Sequence, residues 1–196
     1  MSNKQANIIV VCGGSGSGKS AWVKKQIARA RRLLVWDVND EYAGLRITNR
    51  RDLISAVKGN KTKSFKIRYV PSVVTAEEFS FFCDVAFIAG NLVVVAEETA
   101  DVTSPSKAPP GWGKVVRRGR HQRLTVYGIT QRPAESDKTI IGNATLIHCC
   151  MLKRAEDRKY MAREMGISID EVDRLKPLEW VEVTDRGQKK TGKLRF

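Results

Sequence analysis

NIIVVCGGSGSGKSAWV, residues 7–23, decides how the rest of the chain is read. A β-branched apolar run, Ile8 to Val11, passes into glycines and serines around one lysine. A segment with helical apolar spacing follows. A run that is apolar at every position predicts a strand buried on both faces, as in a parallel sheet. The residues Gly13, Gly14, Ser15, Gly16, Ser17, Gly18, Lys19 and Ser20 satisfy G-x-x-x-x-G-K-[ST] at every fixed position. Between a strand and a helix, that pattern reads as a phosphate-binding loop. Bare backbone lets N–H groups turn inward around phosphate oxygens, and the helix N-terminus adds partial positive charge. Lys19 is expected to reach the β- and γ-phosphates and Ser20 to hold Mg²⁺, so ATP and Mg²⁺ are the expected cofactors.

Outward from this stretch, strand-like and helix-like segments alternate. LLVWDV, FKIRYVP, NLVVVAEE, LTVYGITQ and TLIHCCML read as further strands. KSAWVKKQIARARR places Trp22, Val23, Ile27 and Ala30 on one helical face. RRDLISAVKG, TAEEFSFFCDVAFIAG and RAEDRKYMAREMG read as helices, the second opening with Thr75 and Glu78 in capping-box spacing. The alternation predicts an α/β fold with a mostly parallel central sheet flanked by helices. We read residues 1–196 as a single domain with its core at 7–152. Residues 99–123, rich in proline and glycine at first and in arginine later, read as a mobile basic surface loop. Residues 153–196 read as a C-terminal helix and a β-hairpin turning at Asp185-Arg186-Gly187.

The 35 Lys+Arg against 21 Asp+Glu give a net charge of +14, which favours a polyanionic partner, nucleic acid before membrane. No run approaches the roughly 20 apolar residues of a membrane helix. The opening MSNKQAN has no apolar centre and is read as carrying no signal peptide. The 4 cysteines lack metal-ligand spacing and read as buried thiols. His148, inside a strand pattern, reads as a core residue.

A phosphate loop alone does not separate kinases, GTPases and motor ATPases. No N-K-x-D base reader of a GTPase is present. Glu97 and Glu98 end a buried strand, where an α/β sheet collects its ligands. One acid there can hold Mg²⁺ through water and the next can polarise an attacking water, which suits hydrolysis better than transfer. Gln131, at the end of a further strand, can bond both the γ-phosphate and that water.

AEETAD (96–101) followed by ITQRPAESD (129–137) resembles the corresponding segments of the FtsK/HerA superfamily of DNA-pumping ATPases. WDVNDEY (36–42) is similar to the segment after the second strand in the HerA branch. The resemblance spans residues 7–152. Within the superfamily, the chain looks most like the genome-packaging ATPases of tailless viruses with an internal membrane. The resemblance implies a RecA-like fold, with Gly13 to Ser20 as phosphate loop, Glu97 as magnesium-side acid, Glu98 as catalytic base and Gln131 as sensor. Glu97 departs from the usual aspartate by one methylene.

Arg117, Arg118, Arg120 and Arg123 crowd one segment. The resemblance favours Arg120 as a finger completing a neighbouring subunit's site. A solvated basic turn and direct contact with DNA phosphates remain open alternatives. Lys107 and Trp112 in the proline-rich stretch, and the tail cluster Lys189, Lys190, Lys193 and Arg195, are further candidates for phosphate contact.

The reading reached is an ATP-driven translocase of double-stranded DNA, sequence-blind, assembled as a homo-oligomeric ring, a hexamer by resemblance. Its expected place is the host cytoplasm or the virion, docked on a capsid vertex or on membrane-associated virion proteins. A cellular or conjugative DNA pump, a phage-export ATPase, a nucleoside or nucleotide kinase and a non-hydrolysing DNA scaffold are the rival readings.

Overall fold

The computed structural model describes residues 7–195; the opening MSNKQA, part of the segment read for a signal peptide, and Phe196 lie outside the described residues. The phosphate-loop stretch folds as read. Strand β1 (Asn7–Cys12) leads through the glycine loop into helix α1 (Lys19–Ile27). Strands β2 (Arg32–Trp36), β4 (Phe65–Tyr69), β5 (Val93–Ala96), β6 (Thr125–Thr130) and β7 (Leu146–Cys150) realise the other five strand expectations. Helices α2 (Arg50–Gly59), α3 (Ala76–Ala89) and α6 (Ala155–Met165) realise the helical ones. Asn49 caps α2, accepting from the Asp52 amide at 2.9 Å, and Thr75 caps α3, accepting from the Glu78 amide at 3.1 Å. These side chains satisfy amides that the first helical turn leaves without partners.

Among the described residues the sheet has nine strands in the order β3-β4-β2-β5-β6-β1-β7-β8-β9. Its first seven strands run parallel, and β8 (Glu179–Thr184) and β9 (Lys189–Lys193) extend it as the expected hairpin, antiparallel to β7 and to each other. The alternation along β1 divides the core. Ile8, Val10 and Cys12 face a large cluster with Phe79 and Phe82 of α3 and Met161 of α6. Ile9 and Val11 face a smaller one with Trp22, Val23 and Ile27 of α1. Both faces of the strand are therefore covered, which is why every residue from Ile8 to Cys12 is apolar and buried.

Short elements were not legible in the sequence: β3 (Leu45–Ile47), α5 (Lys138–Gly142) and α7 (Ile169–Asp173). The larger correction concerns residues 99–123. Apart from an irregular stretch at 102–109, they form a 3-10 turn (Thr99–Asp101), helix α4 (Pro110–Arg118) and a second 3-10 turn (Gly119–Gln122). Proline suits a first helical turn because its missing N–H has no partner there anyway. Trp112, a candidate for phosphate contact in the sequence, is instead fully buried, its ring centroid 5.1 Å from that of Phe79, and its Nε1 donates to Asp137 at 2.8 Å. A Cβ at Gly128 of β6 would stand 2.2 Å from Ile140 and 3.4 Å from the Trp112 ring, so a bare backbone is what admits these side chains. Lys107 stays exposed.

The four cysteines are free and buried, and His148 is fully buried against Trp22 and Trp180, as read. No described helix is long and apolar enough to cross a membrane.

Candidate active site

The carboxyl ends of β1, β6 and β5 lie side by side, because β6 is inserted between the strand that bears the phosphate loop and the strand that bears the acids. Segments far apart in sequence thus meet around one cavity of about 330 Å³, lined by Ser15, Gly16, Gly18, Lys19, Ser20, Glu97, Glu98 and Gln131. Gly13, Gly14 and Ser17 shape the loop from beneath. The Gly13 amide donates to Thr130 O at 3.3 Å and the Gly14 amide to Met151 O at 2.8 Å, which ties the loop to β6 and to the end of β7. Gly18, at φ +101°, caps α1 in a conformation that side chains rarely adopt. A Cβ there would also press on Leu178 at 3.2 Å.

Lys19 is 6% exposed and donates from Nζ to the Gly14 carbonyl at 3.0 Å. Burial pulls its pKa below the usual lysine value, and the Glu98 and Glu97 carboxylates oppose that pull. Glu97 is buried. Its Oε1 accepts from the Tyr42 phenol and stands 3.5 Å from Ser20 Oγ. Burial raises Glu97 above the ordinary carboxylate range, while the Tyr42 bond and Lys19 work the other way. Burial first, and then the Glu97 charge, push the Tyr42 phenol well above its usual value, so it stays a donor.

Glu98 adopts the left-handed region, φ 47° and ψ 53°, where non-glycine residues are uncommon and carry strain. It opens the 3-10 turn and receives a hydrogen bond from Gln131 Nε2 at 2.6 Å. The turn that presents Gln131 is pinned on both sides. Thr130 Oγ1 accepts from the Arg132 amide at 3.0 Å and from Ser136 Oγ at 2.9 Å. Arg132 Nε donates to the buried Asp157 at 2.9 Å. Arg132 is therefore held in the scaffold.

The donor set suits magnesium. Ser20 Oγ and the Glu97 carboxylate are hard oxygen ligands, and Mg²⁺ takes few protein ligands, keeping waters and substrate phosphates for the remainder. No group of three or more His, Cys, Asp or Glu side chains fit to hold a metal occurs among the described residues, so the protein alone supplies no closed cage.

Of the expected site residues, Gly13, Gly14 and Ser17 belong to the loop without lining the cavity, and Arg120 stands apart from it. That side chain lies before the amino end of β6, whereas Gln131 follows its carboxyl end, and Arg120 does not line the cavity of its own subunit. It is exposed, with Nε 3.5 Å from His121 Nε2. Arg31, Lys63 and Arg123 surround a second cavity, of about 450 Å³, at this amino end of the sheet. In the basic tail, Lys189 pairs with Glu171 at 2.6 Å and Lys193 stands 3.9 Å from Glu179, which offsets part of that cluster's charge.

Sequence reasoning missed Asn39, Glu41, Tyr42 and Leu178. Asn39, Glu41 and Leu178 line the cavity, and Tyr42 reaches it through Glu97. WDVNDEY was the available signal for the first three. Leu178 had none, because its place depends on how the hairpin packs over Gly18.

No described family profile matches the chain. Protein P9 of Pseudoalteromonas phage PM2 is 35% identical over 172 residues, covering 85% of this chain and 78% of that protein. The genome packaging NTPase B204 of Sulfolobus turreted icosahedral virus 2, solved in complex with AMPPCP, has a similar fold: TM-score 0.83 at 18% identity, covering 99% of this chain and 100% of that one. VirB4 of Thermoanaerobacter pseudethanolicus is similar at TM-score 0.68 and 11% identity, covering 100% of this chain and 91% of that one.

Proposed function

The chain belongs to the family of protein P9 of Pseudoalteromonas phage PM2, and on that premise we propose that it is a P-loop ATPase of FtsK/HerA type that hydrolyses ATP to drive double-stranded DNA into a preformed viral capsid. The observation that carries the reading is the Gln131–Glu98 hydrogen bond at the mouth of the phosphate-loop cavity. A carboxylate held there by an amide is a general base aimed at water, and the amide is placed to sense whether a γ-phosphate is present. Lys19 and the loop amides hold the phosphates. Ser20 and Glu97 would hold magnesium, which when bound neutralises charge on the β- and γ-oxygens. Glu98 takes the proton of the attacking water.

Genome packaging is what B204 is described as doing. The DNA assignment for this chain draws on its net charge of +14 and on its basic amino-end face. Arg31, Lys63 and Arg123, with exposed Arg117 and Arg118 nearby, make no ion pairs among the described residues and are free for phosphates. In this reading the protein is a homo-oligomeric ring, a hexamer, and Arg120 reaches the cavity of an adjacent subunit, since it does not line its own. The ring docks at a capsid vertex in the host cytoplasm.

The test is the ATP turnover rate with and without duplex DNA, together with the mass of the assembled species. Stimulation by DNA of any sequence and a ring-sized assembly are expected. A rate blind to DNA would remove the motor reading. ATP consumption that tracks an added nucleoside acceptor would favour the kinase.

A further inference from the structure

We propose that Tyr42 is a positioning residue, one that fixes the Glu97 carboxylate beside Ser20 and thereby sets how tightly the site holds magnesium with its nucleotide. The inference rests on reading the cavity as an ATP site and names a residue that acts on it through Glu97.

The segment after β2 is built to deliver this phenol. Asp37, fully buried at the end of β2, accepts the Glu41 amide on Oδ1 at 2.9 Å and the Tyr42 amide on Oδ2 at 3.0 Å. Arg68 Nη1 stands 3.6 Å from Asp37 Oδ2 and pairs more closely with Asp40, so one cation serves both carboxylates. Two charge-assisted bonds from one carboxylate fold residues 38–42 back toward the cavity in a single conformation. Tyr42 is 5% exposed and packs in the smaller core cluster with Trp22 and Val23, which fixes its direction. Lys24 Nζ lies 5.0 Å from the ring centroid.

Its hydroxyl donates to Glu97 Oε1, the oxygen that Ser20 Oγ approaches at 3.5 Å. A glutamate arm has one more rotatable bond than an aspartate arm. Without a fixed donor, its carboxylate would spread over several positions. The phenol selects one of them, next to the serine expected to share the metal. Partners that orient metal ligands in this way typically change metal affinity 10–100-fold when removed.

The experiment measures binding of a non-hydrolysable ATP analogue by calorimetry, with magnesium and with EDTA, for wild type and Tyr42→Phe. Phenylalanine keeps the ring and its packing and deletes only the donor; a thermal melt checks folding. The expected result is unchanged affinity in EDTA and a magnesium requirement raised roughly 10-fold or more. The same substitution is then made in a Glu97→Asp background, where the shorter arm does not reach the phenol, so the Tyr42→Phe effect should largely vanish. A magnesium requirement unchanged by Tyr42→Phe overturns the inference while leaving the ATP site intact. An equal effect in both backgrounds also overturns it, because Tyr42 would then not act through Glu97. If the wild type does not bind the analogue with magnesium or with EDTA, the ATP-site reading fails first and takes this inference with it; binding that magnesium does not strengthen overturns this inference alone.

Discussion

Glu98→Gln removes one negative charge while keeping the arm length and an oxygen for Gln131 Nε2, which donates to Glu98 Oε1 across 2.6 Å. Positioned general bases typically contribute about 10²–10⁴ in rate. At about 1.36 kcal/mol per decade, the barrier should rise by roughly 2.7–5.4 kcal/mol. Gln131→Ala deletes a hydrogen bond to a charged group, worth about 1.5–3 kcal/mol, so turnover should fall roughly 10- to 150-fold. The double variant decides how the two act. Gln131 holds Glu98, so once the charge is gone the alanine substitution should cost under about threefold more. Phosphate release gives turnover, and equilibrium binding of ATP analogue confirms that affinity is retained in all three variants. Turnover of Glu98→Gln above about a tenth of wild type would refute the base assignment. Single losses that multiply in the double variant would show that Gln131 works independently of Glu98.

Trp112→Phe strips the indole donor from buried Asp137, a loss of about 1.5–3 kcal/mol that should lower Tm by roughly 3–12 °C; an unchanged melt would deny the burial of residues 110–118. Combining Arg31→Ala with Arg123→Ala should flatten the slope of log DNA affinity against log salt by about 0.9 per lost phosphate contact, and an unchanged slope would move the DNA path elsewhere. His148 is pulled below its ordinary pKa by burial, against the opposing effect of Glu182. Its unfolded form gains a proton near pH 6.5 while the folded form resists, so stability is whole above about pH 6.5 and declines below it. In thermal melts, the Tm advantage of wild type over His148→Gln should therefore shrink from about pH 8 to about pH 5.5; a constant difference would show that His148 does not titrate on unfolding.

Sequence alone determined what is local. The phosphate loop was legible because its glycines, lysine and serine are consecutive and follow a strand buried on both faces. Capping at Thr75 and the turn at Asp185-Arg186-Gly187 were legible for the same reason: side chain and backbone partner lie within a few residues. Helix α4 was obscured because proline and glycine read as loop residues, and only packing explains them. Pro110 occupies the first helical turn, and a Cβ at Gly111 would stand 2.2 Å from Ser80 O of α3. Strand order carries no one-dimensional signal. The insertion of β6 between β1 and β5 sets Gln131 against Glu98, and the fold of residues 38–42 about Asp37 sets Tyr42 against Glu97. Both contacts join residues more than thirty positions apart, and long-range pairing of this kind is set by which buried faces fit together, a property of the packed chain and of no single segment.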